Sequence, residues 1–445
     1  MLAKQLFSLA IIFSFILPVQ ANKYFIAPNG NDAYSGNINS PFLTLQRAQE
    51  WVNPGDTVYI RGGIYPMEES QIAHNHAIWS YVTHHTKSGT AGATIKYWAY
   101  PDETPVFKYH TIKPQGKRVI AFMVSGSWIH IKGIEVTGVQ VTVNRHTQSE
   151  CFEIKGSNNL LEQINMHDGM AIGVYILRGS NNVILNCDAY QNWDSVSENG
   201  KGGNTDGFGC HVSKGDKGNI FKGCRAWFNS DDGFDCLNSD ETVLFDHCWA
   251  FYNGFSSDFK SRADGNGFKA GGYGNGSFEH LPDTIPTHTV QFCLAVGNKQ
   301  NGFYANHHLN GCNWYNNTAC RNKRNYNMLN RESLSKDGYL KDIPGWGHQL
   351  YNNIGFSGAS NELANIDTAK CKLANNSFDL NLSKADFISF DEKELIAPRQ
   401  ANGDLPLIRF LNLAAKSQLI DKGKNLGFDF YGTAPDLGCF EYRKQ

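Results

Sequence analysis

The chain has 445 residues, 40 basic and 42 acidic, for a formal net charge of −2. No basic run offers a surface to a phosphate backbone, which excludes nucleic acid as a partner. No apolar stretch beyond the N-terminus is long enough to span a bilayer, which excludes membrane insertion of the body.

Taken in chain order, Leu2-Ala-Lys4, the apolar run from Leu6 to Pro18 and Val19-Gln-Ala21 read as a signal peptide over residues 1–21. One positive charge, an apolar centre and small residues before a cut after Ala21 make that pattern. The expected product is exported, secreted or periplasmic, with residues 22–445 as a single domain and a monomer. Within Pro41–Val52 the spacing of Leu45, Ala48 and Val52 predicts a helix. It should belong to an N-terminal cap over about residues 22–65, ahead of the turn Asn53-Pro-Gly-Asp56 and a strand at Thr57–Ile60. His74 to His85 reads as an inserted loop, with His84-His85 a solvated pair.

From Ile134 a repeat begins under irregular spacing. Cys187-Asp-Ala-Tyr-Gln-Asn192 recurs as Cys224-Arg-Ala-Trp-Phe-Asn229, Cys248-Trp-Ala-Phe-Tyr-Asn253 and Cys293-Leu-Ala-Val-Gly-Asn298, with a weaker copy at Asn317–Asn322. The shortest steps have the length of one coil, and the long ones of a coil carrying an inserted loop. Short β-rich runs such as Val183–Leu185, Asn219–Phe221 and Thr242–Phe245 cannot bury an apolar face alone. Stacked, they share one core, and parallel stacking lines up like residues in ladders. The pattern predicts an all-β fold, a right-handed parallel β-helix. The Cys positions are then core positions, and eleven cysteines with no CxxC pair form neither a disulfide framework nor a zinc site. Trp193, Trp227 and Trp249 read as core or flank residues. The repeat dissolves near Asn365, so residues 366–445 are expected to form a C-terminal cap.

The chemistry concentrates in Asn204-Thr-Asp-Gly-Phe-Gly209, Asn229-Ser-Asp-Asp-Gly-Phe-Asp235 and Gly265-Asn-Gly-Phe-Lys-Ala-Gly-Gly272. Carboxylates this close repel one another unless a cation neutralises them, and hard oxygen donors of this kind suit calcium. A lysine beside such a cation is pushed toward its neutral form and becomes a base.

These three segments, with Tyr24-Phe-Ile-Ala-Pro-Asn-Gly30, Asn53-Pro-Gly-Asp56 and Ala434-Pro-Asp-Leu-Gly438, resemble family 9 of the polysaccharide lyases over nearly the whole chain. The resemblance implies a parallel β-helix enzyme that cleaves an acidic plant cell-wall polysaccharide by β-elimination. It implies calcium ligands at Asp206, Asp231, Asp232 and Asp235 and a catalytic base at Lys269. His211, Asn306, His307 and Trp314 offer stacking and hydrogen bonding for the sugar chain. Within the family both polygalacturonate and rhamnogalacturonan-I are substrates. The absence of a notably basic cleft favours rhamnogalacturonan-I. Two rival readings remain open. An inverting polygalacturonase-like hydrolase would use Asp206, Asp231 and Asp232 as acid and base around a water. A non-catalytic carbohydrate-binding β-helix would leave Lys269 unexplained.

Overall fold

The computed structural model describes residues 21–145, 148–273, 281–332 and 341–444. The predicted leader lies outside them apart from Ala21. Among the described residues no helix is long and apolar enough to cross a membrane.

The chain winds through three long sheets of 12, 10 and 11 strands, visiting each once per coil. One turn runs Leu160–Glu162, Asn165–His167, Ile172–Ile176 and then returns to the first sheet at Val183–Leu185. Neighbours along each sheet are parallel, apart from one antiparallel edge strand in the third. This is the expected parallel β-helix.

Its interior is built from the ladders that the sequence repeat announces. In the second sheet Ala189, Ala226, Ala250, Ala295 and Ala319 stand in register. Cys187, Cys224, Cys248 and Cys293 are fully buried, and all eleven cysteines are free. Cys224 Sγ lies 3.4 Å from the Ile184 carbonyl one coil earlier, so these thiols act as small core residues with a weak donor. Asn192, Asn229, Asn253, Asn298 and Asn322 form a buried amide ladder, each Nδ2 donating to the next Oδ1 at 3.0–3.2 Å. The third sheet carries inward aromatics. Phe208, Phe234, Phe268, Phe303 and Tyr326 stack at centroid separations of 4.7–5.1 Å.

The N-terminal helix is shorter than its spacing predicts, Leu45–Trp51. Thr44 is extended and caps it, its Oγ1 accepting from Arg47 N at 3.1 Å. Asp32 holds the amides of Leu43 and Thr44 outside the helix. His74 to His85 is not a loop. His74–His76 pairs antiparallel with Trp79–His85, which then joins the third sheet. His85, expected to be solvated, is fully buried, with Tyr97 and Phe122 at 4.3 and 6.2 Å.

The C-terminal segment also differs. Coiling continues to the strand Lys372–Ala374, and the chain then runs back along the flank of the second sheet. Phe387, Leu395, Phe410 and Leu413 cover Trp227, Trp249, Phe251 and Leu294 there. Arg399 reaches Asp188 Oδ1 at 2.6 Å, and Gln163 donates to the Asn402 carbonyl at 2.7 Å, well back along the coil stack. The strap covers apolar outer positions that a terminal cap would leave in water.

Candidate active site

Four consecutive strands of the third sheet carry the site: Phe208–Cys210, Phe234–Asp235, Phe268–Lys269 and Asn301–Tyr304. Their phenylalanines point into the core. The residues that follow, Gly209, Asp235, Lys269 and Tyr304, stand in register on the outer face. Lys269 is therefore one strand spacing from Asp235 and from Tyr304. Each phenylalanine is preceded by glycine. A Cβ at Gly207, Gly233 or Gly267 would come within 2.6–2.7 Å of the next coil's carbonyl oxygen. The Gly-Phe pair thus lets the coils close up and brings the flanking side chains together.

Oxygens of Asp206, Asp232 and Asp235 lie within 4.8 Å of one another, and all three residues are buried. Each carboxylate has one oxygen committed to an amide. Asp206 Oδ1 accepts from Asp232 N at 3.0 Å, Asp235 Oδ1 from Leu237 N at 2.7 Å, and Asp232 Oδ1 from both Asn266 N and Nδ2 at 2.7 Å. Lys269 Nζ sits 2.9 Å from Asp235 Oδ2 and 3.2 Å from Asp232 Oδ2. Asp232 Oδ2 is buried and, beyond that contact with the lysine, accepts no hydrogen bond among the described residues. Asp231, the fourth expected ligand, stands outside the converging trio. Its Oδ1 accepts from Asp264 N at 3.2 Å.

The electrostatics follow from this crowding. Burial, then the charges of Asp231, Asp235 and Asp232, push the Asp206 carboxyl well above the usual range. Burial and Asp232 do the same to Asp231, and burial raises Asp232. Burial opposes the ammonium of Lys269, but the four carboxylates outweigh it and hold its pKa well above the ordinary lysine value. Without another cation Lys269 is a counter-ion, not a base.

The remaining predicted residues divide. His211 follows the Phe208–Cys210 strand, lies 4.9 Å from the Tyr175 ring, and has a buried Nε2 without a hydrogen bond. Burial lowers its pKa, against the pull of Asp235. Asn306 and His307 form the bend after Tyr304, both with left-handed backbone (φ 50° and 60°). Asn306 Nδ2 ties that bend to the Gly271 carbonyl at 2.8 Å. His307 Nδ1 is 3.4 Å from the Tyr304 hydroxyl and its Nε2 is 3.2 Å from Asp342 Oδ1. Trp314 is a correction. It is fully buried in register with Val290, beside Phe303 and His348, and no sugar reaches it. Two residues were missed. Asn266 lies inside the quoted Gly-Asn-Gly-Phe-Lys segment, and Tyr304 holds the position of Lys269 in the repeat Asn301-Gly-Phe-Tyr304.

Residues 24–352 match the family described as "Pel9A-like, right handed beta helix region". The chain is 33% identical over 427 residues to pectate lyase L of Dickeya chrysanthemi, covering 94% of this chain and 90% of that one. It resembles a solved rhamnogalacturonan lyase at 44% identity and a TM-score of 0.85, over 89% of this chain and 97% of that one. It resembles the crystal structure of pectate lyase Pel9A at 31% identity and a TM-score of 0.76, over 96% and 98%. The in-register row of Asp235, Lys269 and Tyr304 therefore sits on a right-handed helix of known kind, and the chain belongs to the Pel9A-like family of β-helix polysaccharide lyases.

Proposed function

We propose that the protein is a calcium-dependent lyase that cuts the pectin backbone by β-elimination at galacturonate, acting on rhamnogalacturonan-I ahead of polygalacturonate. The observation that carries the mechanism is Lys269 Nζ, 2.9 and 3.2 Å from two of three converging carboxylates. The higher identity to the rhamnogalacturonan lyase than to Pel9A supports the choice of polymer. An exported monomer fits this role.

The donor set fits calcium: hard carboxylate oxygens, each residue with one oxygen already positioned by an amide, and a buried Asp232 Oδ2 whose partner among the described residues is the lysine ammonium. Asp206, Asp232 and Asp235 would hold it, with Asp231 alongside. Bound calcium supplies positive charge to the substrate carboxylate, whose negative charge grows as the neighbouring C–H bond breaks. Lys269, no longer paired to Asp235 and Asp232, takes the hydrogen at C5 as a proton. The electron pair of that bond forms the C4–C5 double bond, and the bond from C4 to the glycosidic oxygen breaks. Tyr304, next to Lys269 on the ladder, is placed to give the leaving oxygen its proton. No water is consumed.

An inverting hydrolase fits poorly. Its two carboxyls stand roughly 6.5–9.5 Å apart to admit a water, whereas these oxygens lie within 4.8 Å of one another and contact a lysine. The test is incubation with rhamnogalacturonan-I and, separately, polygalacturonate in the presence of calcium. The expected product absorbs in the ultraviolet through its new double bond, more from rhamnogalacturonan-I. New reducing ends without that absorbance would overturn the lyase mechanism.

A further inference from the structure

The row that holds the metal-site carboxylates continues past them. Asp206, Asp232, Asn266 and Asn301 occupy equivalent places two residues before successive core phenylalanines, and Arg324 is the register partner of Asn301. Hydrogen bonds run along it. Asn266 donates to Asp232, Asn301 Nδ2 donates to Asn266 Oδ1 at 2.6 Å, and Asn327 Nδ2 donates to Asn301 Oδ1 at 3.1 Å. Arg324 stands three strands beyond Asp232, about 14 Å away at about 4.8 Å per strand.

Arg324 lines a surface cavity of about 320 Å³ with Asn327, Asp342, Pro344 and Asn365. Among the described residues its guanidinium has no hydrogen bond or ion pair; its backbone N alone is bonded, to the Gln300 carbonyl. The carboxylate in the wall does not occupy it. Asp342 is engaged by Arg331 at 3.1 Å and by His307 at 3.2 Å. The cavity thus holds an uncommitted planar cation, the geometry that grips a carboxylate through two parallel hydrogen bonds. It opens on the same outer face as Lys269, whose row continues through Tyr304 to Asn327.

We propose that this cavity is a second carboxylate subsite, in which Arg324 grips a uronate of the polymer a few sugars from the one being cleaved. The proposal rests on the lyase reading for the direction of the polymer, across the strands of the third sheet. The ligand class is an acidic oligosaccharide, and the subsite selects for chain length and for a charged sugar at that distance.

The test uses the calcium-loaded full chain. Arg324→Gln should raise KM on the polymer on the order of tenfold, as expected for losing a hydrogen bond to a charged group, while kcat moves less than twofold. The KM penalty should vanish on the shortest cleavable oligosaccharides, which do not reach the cavity. Arg324→Lys should recover part of the loss. In a Lys269→Ala background, calorimetry with rhamnogalacturonan-I oligosaccharides and, separately, oligogalacturonides of increasing length should show a step in affinity at one length. Arg324→Gln should erase that step. An equal penalty at every length, or no penalty, overturns the subsite. If the wild type makes no unsaturated product from either polymer, the lyase reading fails instead, and the calorimetric step still decides the subsite.

Discussion

Replacing Lys269 with alanine separates its observed role as counter-ion from its proposed role as base. Its side chain is 16% exposed and pairs with Asp232 and Asp235, whose side chains are 0% and 6% exposed. Removing one partner of a buried ion pair costs about 3–5 kcal/mol, because the remaining charge is left uncompensated. Metal-free Lys269→Ala should therefore unfold more easily than the metal-free wild type by about that amount. Saturating calcium should close most of the gap, since a cation then faces the same carboxylates. The variant should also bind calcium more tightly, because the ion no longer competes with an ammonium at 2.9 Å. Activity should fall at least ~100-fold, the low end of what a positioned general base supplies. Denaturant unfolding with and without calcium measures the first pair of effects, and the rate of ultraviolet absorbance the last. A variant keeping more than a few per cent of the rate, or equally destabilised with and without calcium, would refute the assignment.

Chelation should abolish activity and calcium restore it, with magnesium a poor substitute because it sheds its waters reluctantly; Asp206→Asn and Asp235→Asn should respond to neither treatment, and full rate in excess chelator would count against the metal. Tyr304→Phe should lower kcat with little change in KM, as expected for a group that acts on the leaving oxygen; an unchanged kcat removes it from the reaction. Trp314→Ala should cost about 3–5 kcal/mol of stability as a core cavity and leave KM unaltered, whereas a large KM effect would restore it to the sugar site. Acid should destabilise the fold through buried histidines: burial holds His308 down to about 4 and His348 and His85 down to about 3. Below pH 6.5 the unfolded chain binds protons that the folded one refuses, so stability should fall from there toward pH 4, by roughly 3 kcal/mol per histidine at pH 4. His348→Asn should flatten that slope in urea titrations at several pH values, and an unchanged slope would remove His348 from the acid response.

The fold was legible because parallel stacking repeats its core residues. Cys, Ala and Asn recur at fixed offsets however long the intervening loops are, and these are the residues found stacked. The carboxylates and Lys269 were legible for the same reason, each adjoining a Gly-Phe pair that the coils superimpose. What escaped lacks that periodicity. The strap beyond Ala374 is fixed by partners as remote as Asp188 and Gln163, and nothing local announces them. Trp314 was misplaced through parity. Its strand alternates inward and outward residues, and register with the buried Val290 turns it inward. Tyr304 was within reach, since Asn301-Gly-Phe-Tyr304 repeats Asn266-Gly-Phe-Lys269 with one letter changed at the outward place.

The stacking that makes the fold also makes the site costly. Register places Asp235 beside Lys269 and draws Asp206, Asp232 and Asp235 to within 4.8 Å, buried and short of compensating charge. A chain selected for stability alone would relieve this with a neutral side chain, since a well-packed apolar replacement often matches or exceeds a buried ionic cluster. Lys269 supplies one positive charge against four carboxylates, so the metal-free site keeps a deficit and its carboxyls titrate high. A divalent cation bound there would remove the deficit and in the same step end the lysine's role as counter-ion. On the proposed mechanism, metal binding, stability and the readiness of the base are one coupled equilibrium. A titration of calcium should raise unfolding resistance and turnover with the same midpoint, and separate midpoints would break that coupling.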